Sequence, residues 1–145
     1  MQRNFVDGES VVEKKIWLIG DQKKATTEIL GHPYHQLRVT YWTSPENTAK
    51  SVWILQEIGK ERFIDVGIVI ESNEIRKLEI LAFRESRGWE VKLPFFTAQF
   101  DGNRLTKEHK LEKRVDAITG ATLSWRAVTG VAKMALYLNG QRPEK

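Results

Sequence analysis

Between residues 36 and 84, four runs rich in Val, Ile, Thr and aromatic side chains follow one another: QLRVTYWT, SVWILQEI, RFIDVGIVI and IRKLEILAF. Such composition suits a pleated, half-buried surface. The runs are separated only by SPENTA, GKE and ESNE, which are turn-like clusters. Parallel neighbours need a crossover of about a dozen residues or more, so these gaps force adjacent strands to pair antiparallel. The spacing predicts a four-stranded meander sheet over 36–84. In the last run, Arg76, Leu78, Ile80 and Ala82 form the more apolar alternating set and are expected to face the core, with Ile75, Lys77, Glu79, Leu81 and Phe83 opposite.

Helical patterns flank the sheet. Residues 10–30 read as helix, with Ser10 and Glu13 spaced as a capping box, a break at Gly20 and a stop at Gly31; HPYH then turns. After the sheet, Gly88 interrupts the chain, Trp89 to Phe100 suits a short helix broken near Pro94, and DGN is a turn. The final element is a helix with Val128, Val131, Ala132, Ala135, Leu136 and Leu138 on one side and Arg126 and Lys133 elsewhere, stopped by NGQRPEK. The expectation is one α+β domain over 1–145: a helical N-terminal segment at 1–31, the sheet at 36–84, and a loop with the C-terminal helix at 85–139. A chain of 145 residues is long enough for one core.

Several function classes lose support. There is no cysteine, hence no thiolate metal site or thiol nucleophile. No apolar run reaches the roughly 18 residues a membrane span needs, and MQRNFVDGES lacks the apolar stretch of a signal peptide. His32, His35 and His109 are scattered, so no metal site is expected. Hydrolytic triads and carboxylate pairs find no support in the spacing. The net charge of +4 comes from 23 basic and 19 acidic residues that are interspersed, as on a solvated surface. The densest basic run, KEHKLEKR, has no aromatic residue for stacking bases, so nucleic acid is not the expected partner.

The segment VDAITGATLSWRAV, residues 115–128, packs small and hydroxylic residues directly before the last helix. Two readings are open. In one, Thr119 or Thr122 caps the helix and Gly120 turns the chain. In the other, Thr119, Gly120, Ala121, Thr122, Leu123 and Ser124 form the mouth of an anion site. There unpaired N–H groups and the positive end of the macrodipole meet a phosphate.

Asp116, Thr119, Gly120–Ala121 and Thr122 match the flavinylation motif Asp-x-x-Ser/Thr-Gly-Ala-Ser/Thr. The region from about 60 to 139 resembles the FMN-binding domain family, which includes the FMN-carrying subunits of the sodium-pumping NADH:quinone oxidoreductase and of Rnf electron-transport complexes. The resemblance implies an FMN joined through its phosphate to the Thr122 Oγ by a separate flavin transferase with FAD as donor. It implies that Asp116 belongs to the transferase's recognition signature. Arg87, Gly88 and Trp89 of the ESRGW loop then lie close to the flavin, with Trp89, Phe95, Phe96 and Phe100 as candidate ring walls. Trp125 stands where many relatives carry a small or hydroxyl residue, and either lines the ring pocket or anchors the helix.

The function expected from this resemblance is electron transfer to a redox partner protein or membrane redox complex, the protein itself contributing no catalytic residue. Such carriers belong on the outer face of the cell membrane, which requires an anchor or export signal outside these residues; a cytoplasmic location is the other reading. A basic surface also suits contact with anionic lipid. Two rivals remain: a reductase with noncovalent FMN that meets NAD(P)H directly, and a module using the 104–114 loop on nucleic acid or lipid.

Overall fold

The structure, a computed structural model, describes residues 10–143. The amino-terminal residues 1–9, on which the signal-peptide expectation chiefly falls, lie outside the described residues, as do 144 and 145.

The sheet has five strands in sequence order, every neighbour antiparallel. They are β1 (Val12–Trp17), β2 (Arg38–Ser44), β3 (Asn47–Ile58), β4 (Phe63–Glu71) and β5 (Glu74–Phe83). The meander of the last four is as expected. The fifth strand corrects the N-terminal reading: residues 12–17 are not helical but pair with β2, Ile16 opposite Val39 and Val12 opposite Thr43. Ser10 caps nothing; its N–H donates to Glu46 Oε1 at 2.8 Å. Local propensity in VEKKIW is weak either way, and β2's edge decides it. The helix begins only at the Gly20 break, as α1 (Gly20–Leu30), and ends at Gly31 with φ 85°.

One face of the sheet forms the core. Ile64, Val66, Ile68 and Ile70 of β4 are fully buried. Across β3 they face Glu57, Leu55, Trp53 and Ser51. Across β5 they face Phe83, Ile80, Leu78 and Ile75. The spacing of that last set is three, two, three, because the register shifts at Val69/Ile70 and again at Asp65/Val66. Each bulge inserts one residue and reverses the alternation. Hence Leu78 and Ile80 face inward as expected, but Ile75 and Phe83 join them while Arg76 is exposed.

The long helix of residues 122–140 lies across β3 and β4. Val128, Val131, Ala132, Ala135 and Leu138 are fully buried beneath it. A β-carbon on Gly130 would come 3.2 Å from a Leu30 methyl, so the glycine lets α1 pack closely here. At its far end Asn139 Oδ1 accepts from Ser51 Oγ at 2.7 Å and from Arg142 Nε at 2.9 Å. This fixes which end of the helix lies over which end of the sheet.

Between β5 and that helix run a 3-10 turn (Trp89–Lys92), α2 (Pro94–Thr97) and a second 3-10 turn (Ala98–Phe100). The long helix is therefore α3 (Thr122–Gly140). Phe96 and Phe100 meet edge to face at 5.4 Å and are fully buried, so both are core and neither is a ring wall.

Candidate functional site

Ala121 is the N-cap of α3, and among the described residues no side chain caps this terminus. The capping reading of Thr119 and Thr122 therefore fails. The chain enters through a turn closed by the Ala121 N–H on Ile118 O at 2.9 Å. Gly120 occupies its third position with φ 81°, a conformation that L side chains resist. The sharp reversal brings Thr122 into the first helical turn with its side chain exposed, Leu123 exposed beside it and Ser124 buried. The first N–H groups of a helix have no partner within it, and among the described residues no side chain caps them here, so their partial positive charge is left to the cleft.

The facing wall is the loop that leaves β5, and three contacts hold it. Arg84 forks onto Asp65 at 2.8 and 3.1 Å. That hydrogen bonding pulls the Asp65 carboxyl below its usual range, with Gln56 adding to it. Glu85 Oε2 accepts the backbone N–H of Glu61 at 2.8 Å and that of Lys60, tying the loop to the β3–β4 turn. These N–H donors, Glu61 first, hold the Glu85 carboxyl below the carboxylate range. Gly88, with φ 89°, presses its backbone against Ser124.

Between these walls opens a cleft of about 490 Å³, within the range of cofactor sites. Gly120, Ala121, Thr122, Leu123 and Ser124 form one side; Ser86, Arg87 and Gly88 form the other. Lys60 and Glu61 form the third side. Sequence reasoning missed this pair, because GKE looked only like a turn. The signal available was a lysine in the turn after the longest strand. Lys60 and Arg87 are balanced by the carboxylates of Glu61 and of Glu85, the latter already engaged by backbone donors, so it is the helix terminus that suits the cleft to an anion.

The other proposed residues fall outside the lining. Asp116 is exposed, and its N–H donates to Gln99 Oε1 at 2.9 Å. Thr119 is exposed in the entry turn. Trp89 and Phe95 point to solvent, at 53% and 59% exposure, so the cleft has no aromatic wall; Leu123 is its large apolar side chain. Trp125 anchors the helix: its Nε1–H donates to Val115 O at 3.0 Å and its ring packs on the core.

Comparison with known proteins bears on this site. A sequence model described as the FMN-binding domain matches residues 59–137. That stretch contains the β3–β4 turn, the loop after β5 and the first turns of α3. No curated protein matches the sequence. Among solved structures, the chain is similar to NqrC of Shewanella oneidensis, with a TM-score of 0.63 and 15% identity, over 90% of this chain and 80% of that one. At that identity the likeness is one of fold.

Proposed function

The chain belongs to the FMN-binding domain family and its cofactor is FMN; from that premise we propose that it is an electron carrier whose flavin is esterified through its phosphate to Thr122. One observation carries the attachment: the Thr122 side chain is exposed beside an uncapped helix terminus, in a cleft furnished with Lys60 and Arg87. A phosphodiester keeps one negative charge, which the positive end of the helix stabilises, with Lys60 and Arg87 offsetting the nearby carboxylates.

Attachment is a group transfer by a flavin transferase from FAD. The bond from Thr122 Oγ to the FMN phosphorus forms, the bond from that phosphorus to the AMP half breaks, AMP leaves and the hydroxyl proton passes to the transferase. Asp116, the exposed first residue of the motif, is available to that enzyme rather than to the cleft. The isoalloxazine supplies the redox chemistry when bound. The protein orients it: Leu123 offers an apolar contact, and Arg87 stands where a reduced, anionic ring gains from a positive neighbour. Electrons then pass to a partner protein or membrane complex. We place the carrier at the outer face of the cell membrane, where a tethered flavin cannot diffuse away; a reporter fusion active only outside the cytoplasm tests this.

Intact mass after co-expression with a flavin transferase tests the attachment. The expected gain is about 440 Da, one FMN less one water. Thr122→Ala abolishes it and Thr119→Ser does not. An unchanged mass in the wild-type chain, with the transferase shown active on another substrate, overturns the covalent reading.

A further inference from the structure

A second and larger concavity lies on the other side of Leu123, between the end of α1, the 31–35 turn, the ends of β3 and β4, and α3. It is about 640 Å³ and shares Leu123 with the flavin cleft. Its walls are apolar and partly flat: Leu30, Ile58, Phe63 and Trp125. His35 packs against Phe63 with the ring centroids 4.7 Å apart and the planes tilted by 43°. Ile58 is 47% exposed although it ends a core strand.

The polar groups at the rim are unequal. Glu57 is the groove's carboxylate, and it already faces His32 Nε2 at 2.7 Å. His32 Nδ1 faces Pro33 O at 2.8 Å, so both ring nitrogens meet acceptors and the imidazolium is the favoured form. Glu57 is thereby already engaged by a partner. Lys133 and Arg126 also line the groove, and among the described residues neither has a carboxylate partner. Burial and the neighbouring Lys110 push the Lys133 amine below its usual range. An ammonium that is desolvated and repelled gains from an anion placed beside it.

We propose that this groove is a second ligand site, which takes a planar aromatic anion: its ring system lies on Phe63 and Trp125, and its negative group meets Lys133 and Arg126. An occupant there shares the Leu123 side chain with the flavin cleft. The site goes beyond the flavin reading and does not depend on the ester, so it is tested on Thr122→Ala protein.

The probe is 1-naphthoate, measured by titration calorimetry, with neutral 1-naphthylmethanol as its uncharged counterpart. Naphthoate is expected to bind with a Kd below about 1 mM, and the alcohol about tenfold more weakly. Lys133→Met and Arg126→Met are each expected to weaken naphthoate about fivefold or more while leaving the alcohol unchanged; two separate variants guard against one misfolding. Absence of naphthoate binding at 5 mM, equal binding of acid and alcohol, or indifference to both substitutions overturns the proposal. So does displacement of naphthoate by free FMN, which makes the groove the flavin ring's own pocket. Failure of flavinylation in the mass experiment leaves this outcome untouched, so the two readings fall separately.

Discussion

Gly88 and Ser124 touch so closely that the loop after β5 and the first turn of α3 are locked together where the two walls of the cleft meet. A β-carbon on Gly88 would fall 2.4 Å from Ser124 Oγ and 3.2 Å from Ser124 Cβ, and the glycine's φ of 89° already excludes most side chains. Gly88→Ala therefore combines backbone strain with a clash at the cleft. The expected loss is on the order of 2–4 kcal/mol by denaturant unfolding, with reduced flavin loading of the fraction that folds. Adding Ser124→Ala removes the nearest atom and is expected to restore part, not all, of the loss. A simple sum of the two single effects would show that the contact is not the cause.

Glu85 ties the same loop to the β3–β4 turn, and its behaviour with pH has a definite sign. Backbone donors at Glu61 and Lys60 hold its folded-state pKa below the unfolded one. The stability it contributes is present above the ordinary carboxylate range and is lost as pH falls through the depressed folded value. Solvent reaches the group, so the contribution is at most about 1 kcal/mol. Glu85→Gln is expected to flatten the part of the stability curve between about pH 5 and pH 3. A curve as steep as the wild type's assigns the acid sensitivity to other carboxylates, such as Asp65.

His32 works in the opposite direction. The Pro33 carbonyl first, and then Glu57, raise its pKa above the usual histidine value, against the effect of burial. A raised folded pKa gives stability that is complete below the unfolded value of about 6.5 and fades as pH rises through the folded one. With the ring half exposed, the effect is a fraction of a kcal/mol. What loosens is the contact between the end of α1 and β3. Amide exchange at residues 29–32 is expected to quicken from pH 6 to pH 8.5 beyond the ordinary base-catalysed rate, and His32→Gln removes that excess.

Much of this arrangement is legible in the sequence where one strong local signal acts. Short turns forced the antiparallel order of β2 to β5, and Gly31 ended α1 as glycines do. The small-residue string before α3 pointed to its exposed terminus. The reading failed where tertiary contacts decide. VEKKIW became an edge strand because β2 offered hydrogen bonds that its own propensity did not demand. The bulges opposite Val66 and Val69 leave no mark in the alternation of IRKLEILAF, so Ile75 and Phe83 were assigned to the wrong face. Lys60 and Glu61 reach the cleft only because Glu85, 24 to 25 residues away, captures their N–H groups. Trp89 looked like a ring wall by its position beside Gly88, but the 3-10 turn that starts there directs it to solvent.

Trp125 both anchors α3 and lines the groove beside Leu123, and its anchoring bond supports a last prediction. Its indole N–H donates to Val115 O at 3.0 Å, across the segment that carries the whole flavinylation motif. Val115 is buried, so its carbonyl has no ready access to water if the indole is removed. Trp125→Phe keeps most of the apolar contact and deletes the donor, which is expected to cost about 1–3 kcal/mol. If the bond also holds the 115–121 segment in register for the transferase, flavin incorporation should slow even at a temperature where the variant is fully folded. A variant destabilised by that amount yet modified at the wild-type rate would confine Trp125 to holding the helix.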